Sequence, residues 1–301
     1  MTTLKKQRIQ ALIHLLDDPD PAVFEAVEKE LLKENTRLVP ELEIMWETTP
    51  HEICQLRIEN LIQRIQFKAN YQKLRLWSRQ QTPDLLEGFI LASRYHFPDL
   101  NTDRVYRKIE EIRKRVWIEL NNSLTSLEKI TVLNHILYNE YKFTAVADVQ
   151  PLLNYYSVSH ILETHTGSTV AIAMLYNIIA CKLALPVRYV DFPRNPMLAY
   201  VDRRIAVKVY PPEVETDILF YINPANDGSI TGRREMEYLL RKIYNEESGT
   251  RLETTSPRFF LMRLLEMTEK AYGMSGQSGK SADIQQMIHI LSEKNRSRST
   301  T

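Results

Sequence analysis

A long apolar segment near the middle of the chain places the strongest limit on the fold. It follows Gly167-Ser168-Thr169, and within residues 170–185 the polar or amphipathic side chains are those of Tyr176, Asn177 and Lys182. A helix that is apolar on nearly every side has to be covered by other elements. The segment therefore predicts a buried helix at the centre of the fold.

The residues at the start of this helix favour a polar site. Gly167, Ser168 and Thr169 would present free backbone amides and the positive end of the helix dipole to any group placed there. A cysteine at such a position would be ionised and reactive if a histidine took its proton and an acid oriented that histidine. This chain carries Thr169 instead, so the chemistry of the position depends on its neighbours.

The first part of the chain reads as consecutive helices. Apolar residues recur at three- and four-residue spacing in segments 4–16, 22–34, 37–49 and 51–69, and Asp-Asp-Pro-Asp-Pro at 17–21 separates the first two. The segment 15–32 also resembles a HEAT-type repeat, although a solenoid usually needs about three or more stacked repeats. We predict helical hairpins with a HEAT-like start for residues 1–70.

The rest of the chain combines helices with a small sheet. Helical spacing continues in segments 82–96, 102–120 and 126–143, whereas short β-branched and aromatic runs at 187–192, 197–202, 204–210 and 218–223 predict a mainly antiparallel sheet. Segments 257–273 and 282–294 predict a closing helical hairpin. We predict an α+β fold with one domain at 71–245, its central helix and sheet at about 156–245, and a C-terminal hairpin with a disordered tail at 246–301.

Composition and charge exclude several function classes. The chain has 39 Lys and Arg against 38 Asp and Glu, and this balance gives no strong field for nucleic acid or an anionic membrane. The start lacks the pattern of a secretory signal, and no apolar run approaches the roughly 20 residues that span a bilayer. We therefore expect a protein or peptide partner recognised by shape.

Cysteine and histidine usage points to no cofactor or metal. With only Cys54 and Cys181, a disulfide framework is not indicated and a reducing cytoplasm is expected. His51 and Cys54 lack further nearby ligands for a zinc site. Cys181 lies deep in the apolar helix, where we expect its thiol to be poorly ionised and to behave as a small hydrophobe.

The central segment resembles the core of transglutaminase-like proteins. Their motif has a glycine two residues before the catalytic cysteine, an alanine four residues after it, and a Leu/Ile-Pro-Ala/Val-Arg turn at the end of the helix. Gly167, Ala173 and residues 185–188 fit this register, so Thr169 occupies the cysteine position. Segments 84–100, 128–143, 155–186 and 220–243 are most similar to the bacterial SirB-like branch, which pairs a helical front end with this core.

The resemblance also implies that the other two triad positions have changed. Asn195 stands where the branch has histidine, with Pro196 at that position if the alignment slips by one residue, and Asn223 replaces the acid. A threonine hydroxyl is a poor nucleophile without a base, and an asparagine amide cannot accept its proton near neutral pH. The resemblance thus implies a degenerate triad.

Two classes of function remain open on the sequence. The first is a noncatalytic protein, not an enzyme, that acts as an interaction or regulatory scaffold through its helical front end; the alternative is a hydrolase, amidase or acyltransferase that uses the same pocket with noncanonical residues. In the first case a polar notch, formed by Gly167, Ser168, Thr169, Asn195 and Asn223, is expected to bind a peptide backbone or carboxylate. Equally, these groups could satisfy one another and nearby backbone groups, with no ligand.

Overall fold

The computed structural model describes residues 3–146, 152–192, 196–211, 213–214, 216–244 and 253–296. Its chain divides into two compact units, Met1–Leu76 and Trp77–Thr301. The domain boundaries expected from the sequence, after residues 70 and 245, stay predictions. Within the described ranges, none of the helices combines the length and apolar character needed to cross a membrane.

The first unit is helical. Asp20 accepts a hydrogen bond from the backbone nitrogen of Ala22, and Pro21 follows as the first helical residue, so the Asp-Pro pair starts a helix as expected. Each of the helices contributes apolar residues to one buried cluster that includes Ile13, Leu31 and Leu42. The helices are α1 (Thr3–His14), α2 (Pro21–Leu31), α3 (Val39–Thr48) and α4 (Glu52–Arg79), whose last turn falls in the second unit.

The second unit holds the remaining helices and all the described strands. The helices are α5 (Leu85–His96), α6 (Thr102–Glu119), α7 (Ser126–Asn134), α8 (Val158–Thr164), α9 (Thr169–Lys182), α10 (Arg203–Val209), α11 (Arg233–Tyr244), α12 (Pro257–Met274) and α13 (Ser278–Arg296). The strands are β1 (Thr144–Val146), β2 (Thr166–Ser168), β3 (Val187–Val190), β4 (Met197–Val201), β5 (Ile218–Asn223) and β6 (Ser229–Thr231). A π-helical segment, His135–Glu140, continues α7. The α+β prediction is confirmed.

Helix α9 is the buried centre that its composition predicts. Every residue from Val170 to Ala180 is buried. The two polar side chains in this stretch have partners: the hydroxyl of Tyr176 donates to Asn134, and the amide of Asn177 donates to the backbone oxygen of Val187. The apolar surface and the satisfied polar groups together fix the helix inside the unit.

Strands β3 to β6 form an antiparallel sheet in the order β3-β4-β5-β6. On one face, Met197, Ala199 and Tyr221 pack with Met236 of α11. On the other, the ring of Tyr189 stacks on Phe260 of α12 with centroids 3.9 Å apart. The small antiparallel sheet is therefore confirmed, and helices cover it on both faces.

Two local predictions differ from the structure. Residues 204–209 of the segment 204–210, expected as a strand, belong to α10, because the carboxylate of Asp202 accepts a hydrogen bond from the backbone nitrogen of Ile205 and caps a helix there. Its alternating Val207 and Val209 are exposed rather than paired in a sheet. Conversely, β1 and β2 form a parallel pair that the sequence did not reveal, since each has three residues and no readable alternation.

The closing hairpin of α12 and α13 is present, with α13 starting at Ser278, earlier than expected. The tail expected to be disordered lies outside the described residues beyond Arg296.

Candidate functional site

The start of α9 is built on a tightly packed glycine. Strand β2 leads into the helix and pairs with β1, with Ser168 opposite Val146. A Cβ atom on Gly167 would lie 2.7 Å from Cγ1 of Ile161 and 3.3 Å from the backbone oxygen of Tyr155. Glycine is required here because its neighbours leave no space for a side chain.

Ser168, rather than Thr169, satisfies the helix start. The hydroxyl of Ser168 is buried and accepts a hydrogen bond from the backbone nitrogen of Ala171 at 3.3 Å. Thr169 is the first residue of α9 and is half-buried. Its hydroxyl has no hydrogen-bond partner within the described ranges, so nothing there activates it as a nucleophile.

Asn223 is the last residue of β5 and organises a turn. Its Oδ1 atom accepts a hydrogen bond from the backbone nitrogen of Ala225 at 3.1 Å, and its backbone oxygen accepts from Asn226 and Gly228. This is an Asx-type arrangement that asparagine commonly forms. The amide oxygen of Asn223 is therefore already engaged by the local backbone.

Of the two residues predicted for the histidine position, Asn195 and Pro196, the structure describes Pro196. Asn195 falls outside the described residues. Pro196 immediately precedes β4. Because Leu198 of β4 pairs with Ile222 of β5, Pro196 and Asn223 lie at the same end of these two neighbouring strands. No hydrogen bond joins Asn223 to Thr169 in the part of the chain that the structure describes. The binding role expected for the notch stays a prediction.

A polar network that sequence reasoning missed holds the Asn223 turn in place. Asn134 donates from Nδ2 to the backbone oxygen of Gly228 at 2.7 Å and accepts at Oδ1 from the hydroxyl of Tyr176, also at 2.7 Å. The hydroxyl of Tyr138 donates to the backbone oxygen of Pro224 at 3.0 Å. Burial raises the pKa of Tyr138 and of Tyr176, so both hydroxyls keep their protons and act as donors.

This network attaches the turn to the middle of α9. Tyr176 follows Thr169 by two helical turns, or roughly 10 Å along the helix axis. In the sequence, Tyr176 itself was the sign of this network, because a polar group in an otherwise apolar helix requires a hydrogen-bond partner. The identity of the partner, an asparagine on α7, carried no signal of its own.

The described histidines do not supply Thr169 with a hydrogen-bonded base. The ring of His165, four residues before Thr169, packs on Phe143 with centroids 4.9 Å apart. The Nδ1 atom of His96 lies 2.6 Å from the hydroxyl of Tyr272, and burial together with the charge of Lys280 lowers the pKa of His96 to about 4. Among the described residues, no histidine shares a hydrogen bond with Thr169.

Neither thiol occupies the helix start, since Cys54 belongs to the first unit and Cys181 to the last turn of α9. Cys54 is buried, but Cys181 is exposed, so the expectation that Cys181 is a small hydrophobe deep in the apolar helix is wrong. The reason is its place in the last turn of α9, where the helix leaves the core. Its Sγ atom lies 3.7 Å from the backbone oxygen of Val187, and desolvation raises the pKa of the thiol. A raised pKa makes Cys181 a weak nucleophile.

A comparison with family models identifies the fold that carries these features. The model of the transglutaminase-like superfamily matches residues 103–266, which run from α6 into α12 and include α9 and the antiparallel sheet. This match covers more than half of the chain. The chain belongs to the transglutaminase-like superfamily.

The SirB-like resemblance of this transglutaminase-like protein is confirmed by its relatives. It is similar to Protein SirB1 of Salmonella typhimurium and of Salmonella typhi, each 30% identical over 114 residues. It is also similar to a UPF0162 protein of Buchnera aphidicola, 28% identical over 117 residues. Each match covers 38% of this chain and 42% of the relative. No solved structure matches the chain.

Metal binding has no site in the described part of this transglutaminase-like protein. Across the described ranges, no three His, Cys, Asp or Glu side chains lie close enough together to hold a metal ion.

Proposed function

We propose that this transglutaminase-like protein is noncatalytic and acts as an interaction or regulatory scaffold in the cytoplasm. The observation that carries the proposal is at the start of α9, where the hydroxyl of Thr169 has no hydrogen-bond partner among the described residues. The resemblance places Thr169 at the nucleophile position. Acyl transfer needs a nucleophile activated by an adjacent base or by a lowered pKa. Loss of such a constellation costs several powers of ten in rate.

The Asn223 turn supports the same proposal. In the triad geometry, the acid stabilises the charged imidazole that forms during the reaction. An asparagine amide carries no charge to do this, and the Oδ1 atom of Asn223 is engaged by the nitrogen of Ala225. We infer that this position now serves the turn.

The helical front end supports an interaction role, with a protein or peptide as the partner. Ile44 of α3 and Ile53 of α4 are 62% and 71% exposed. Ile44 lines a groove of about 670 Å³ that also contains Glu41, whose Oε2 atom is buried without a hydrogen-bond partner in the described residues. A groove with both apolar and polar lining residues and an unpaired carboxylate oxygen fits a partner that presents a Lys or Arg beside apolar residues.

A substrate assay tests the absence of catalysis. Purified protein is incubated with amide, ester and glutamine-donor substrates beside its Thr169→Ala variant, and we expect the same background rate from both. The triple variant Thr169→Cys, Asn195→His, Asn223→Asp is assayed beside them to see whether cysteine, histidine and aspartate at these positions restore turnover. Turnover by the natural sequence that disappears in Thr169→Ala would contradict the proposal and support the alternative hydrolase, amidase or acyltransferase.

Affinity capture from a cell extract tests the scaffold role. We expect one defined protein to be recovered with the natural sequence and lost with Ile44→Asp, because the substitution replaces an exposed apolar side chain of the groove with a carboxylate beside Glu41. Ile118→Asp is the matched control, since Ile118 is 72% exposed on α6 in the second unit and should leave recovery unchanged. Equal recovery by both variants would exclude the groove, and repeated recovery of no defined protein would count against the role.

A further inference from the structure

The last turns of α9 border a cleft at the opposite end of the helix from Thr169. The cleft has a volume of about 570 Å³ and is lined by residues of four segments of the second unit: the connection into α5, the end of α9, strand β3 and the start of α12. Small-molecule sites have volumes of roughly 300–1,000 Å³. The cleft is therefore large enough for a small organic ligand.

One side of the cleft is apolar and rigid. Tyr189 and Phe260 line it and stack nearly parallel, with an interplanar angle of 6°. Leu86 and Ile178 are also buried lining residues. Because each of these side chains is at most 4% exposed, they form a closely packed apolar wall that a ligand would meet at its edge.

The charged lining residues are mostly basic. Arg188 and Lys182 are exposed and have no hydrogen-bond or ion-pair partner among the described residues, although Lys182 lies in the field of Glu110. Asp84 contributes a negative charge, but one of its carboxylate oxygens accepts from the backbone nitrogen of Glu87 and caps α5. The guanidinium of Arg188 is thus left available to an anion.

Arg258 holds the border of the cleft in position. Its Nε atom donates to the backbone oxygen of Ser78 at 2.6 Å, and Nη2 donates to that of Gln80. These bonds attach the segment before α5 to the start of α12. The border opposite α9 is therefore fixed by hydrogen bonds rather than loosely placed.

A buried hydroxyl in the cleft has no partner. The backbone nitrogen of Thr255 donates to the oxygen of Tyr189 at 2.8 Å, which extends the edge of β3 and fixes the position of Thr255. Its Oγ1 atom is buried without a hydrogen bond among the described residues. An unsatisfied buried hydroxyl costs about 1–3 kcal/mol, so its presence in a lining residue points to a ligand group.

We propose that this cleft binds a small organic acid, with its carboxylate at Arg188 and Thr255 and its apolar body on Tyr189 and Phe260. The guanidinium supplies charge-assisted hydrogen bonds and the hydroxyl supplies one more donor, whereas the stacked rings bury the apolar part. This inference is independent of the noncatalytic proposal, because it concerns the other end of α9.

A pair of probes that differ only in charge tests the proposal. The full chain is titrated with 4-phenylbutyrate and with its neutral amide, 4-phenylbutanamide, and binding is followed by calorimetry. We expect the acid to bind at least about tenfold more tightly, which corresponds to the loss of one charge-assisted hydrogen bond. Equal binding of the two probes, or no binding of the acid at millimolar concentration, would overturn the proposal.

Two substitutions assign the binding to the cleft. Arg188→Met should weaken 4-phenylbutyrate binding about tenfold. Arg107→Met, an exposed arginine of α6 that does not line the cleft, should leave it unchanged. Thr255→Val should weaken binding while raising the melting temperature, because it removes an unsatisfied buried hydroxyl. A higher melting temperature with unchanged affinity would exclude Thr255 from the site.

Cys181 provides a reporter inside the cleft. Saturating 4-phenylbutyrate should slow the alkylation of Cys181 by iodoacetamide at least about fivefold, as expected for a ligand that covers a lining residue. In this reaction the thiolate sulfur forms a bond to the methylene carbon, iodide leaves and the thiol proton passes to solvent. Unchanged alkylation of Cys181 in the presence of bound acid would place the binding elsewhere and overturn the assignment.

Discussion

The two ends of α9 differ in how their polar groups are satisfied. At the start, Ser168 caps the backbone nitrogen of Ala171, and Gly167 is packed too closely for any side chain. At the far end, Arg188 and the hydroxyl of Thr255 have no partners among the described residues and line a cleft. The hydroxyl of Thr169 is also unpartnered among the described residues, so the far end is distinguished by the cleft that brings its unpartnered groups together. The comparison teaches that unpartnered polar groups indicate a binding site where a cleft gathers them.

The largest expected effect is the difference in alkylation rate between the two thiols, which differ in exposure. We expect iodoacetamide to alkylate Cys181 about a thousandfold faster than Cys54, because Cys54 is 1% exposed and reacts only when its surroundings open. The rate at Cys181 should still be rising above pH 9, since desolvation raises the pKa of its thiol and fewer molecules are ionised at lower pH.

Mass spectrometry of each cysteine peptide over time measures both rates. The unfolded protein is the control, in which the two thiols should react alike. If Cys181 were as protected as Cys54 in the folded protein, the far end of α9 would be closed, and the contrast between the two ends would disappear.

The next effect tests the close packing at the start of α9. Gly167→Ala should lower the free energy of unfolding by about 2 kcal/mol, because the added Cβ would overlap Ile161 and approach the backbone of Tyr155. The matched control is Gly273→Ala in α12, where a Cβ would meet no atom within 4 Å; it should be neutral or stabilise by about 0.5 kcal/mol. Urea unfolding checks both values, and equal effects would contradict the packing argument.

A smaller effect on stability distinguishes Ser168, which caps α9, from Thr169, the residue predicted for the nucleophile position. Ser168→Ala should cost about 1 kcal/mol, since it removes the side-chain oxygen that caps α9. Thr169→Ala should change stability by less than about 0.5 kcal/mol, because the hydroxyl of Thr169 has no partner in the described residues. Thermal or urea unfolding of both variants measures the difference, and a larger loss for Thr169→Ala would give its hydroxyl a structural role.

The smallest effect concerns the free guanidinium at the far end. Arg188→Met should alter the free energy of unfolding by less than about 0.5 kcal/mol, as expected for an exposed side chain without partners. Arg258→Met should cost about 1–2 kcal/mol, because it removes hydrogen bonds to the oxygens of Ser78 and Gln80. If Arg188→Met proved the more damaging of the two, Arg188 would be a structural residue and would no longer count as an unpartnered cation of the cleft.

Patterns within one element were predicted well, and contacts between elements were not. The continuous apolar run of α9 predicted its burial, and the sequence order of glycine, alanine and the turn at 185–188 predicted the superfamily. The strand prediction for segment 204–210 was wrong: its alternating apolar residues resemble a strand, but the cap at Asp202 starts a helix. Short elements such as β1 hold too few residues for a period to be read.

The sequence by itself determined the buried central helix and the α+β class, because each is written in consecutive or regularly spaced residues, and the replacement of the three triad residues stays a prediction. Only the tertiary structure decided that the amide of Asn223 bonds within its own turn, and that Cys181 is exposed. It alone assembled the cleft from four segments between residues 81 and 260. The physical reason is that hydrogen-bond satisfaction and burial depend on distances between residues far apart in the chain, which folding sets and local patterns do not contain.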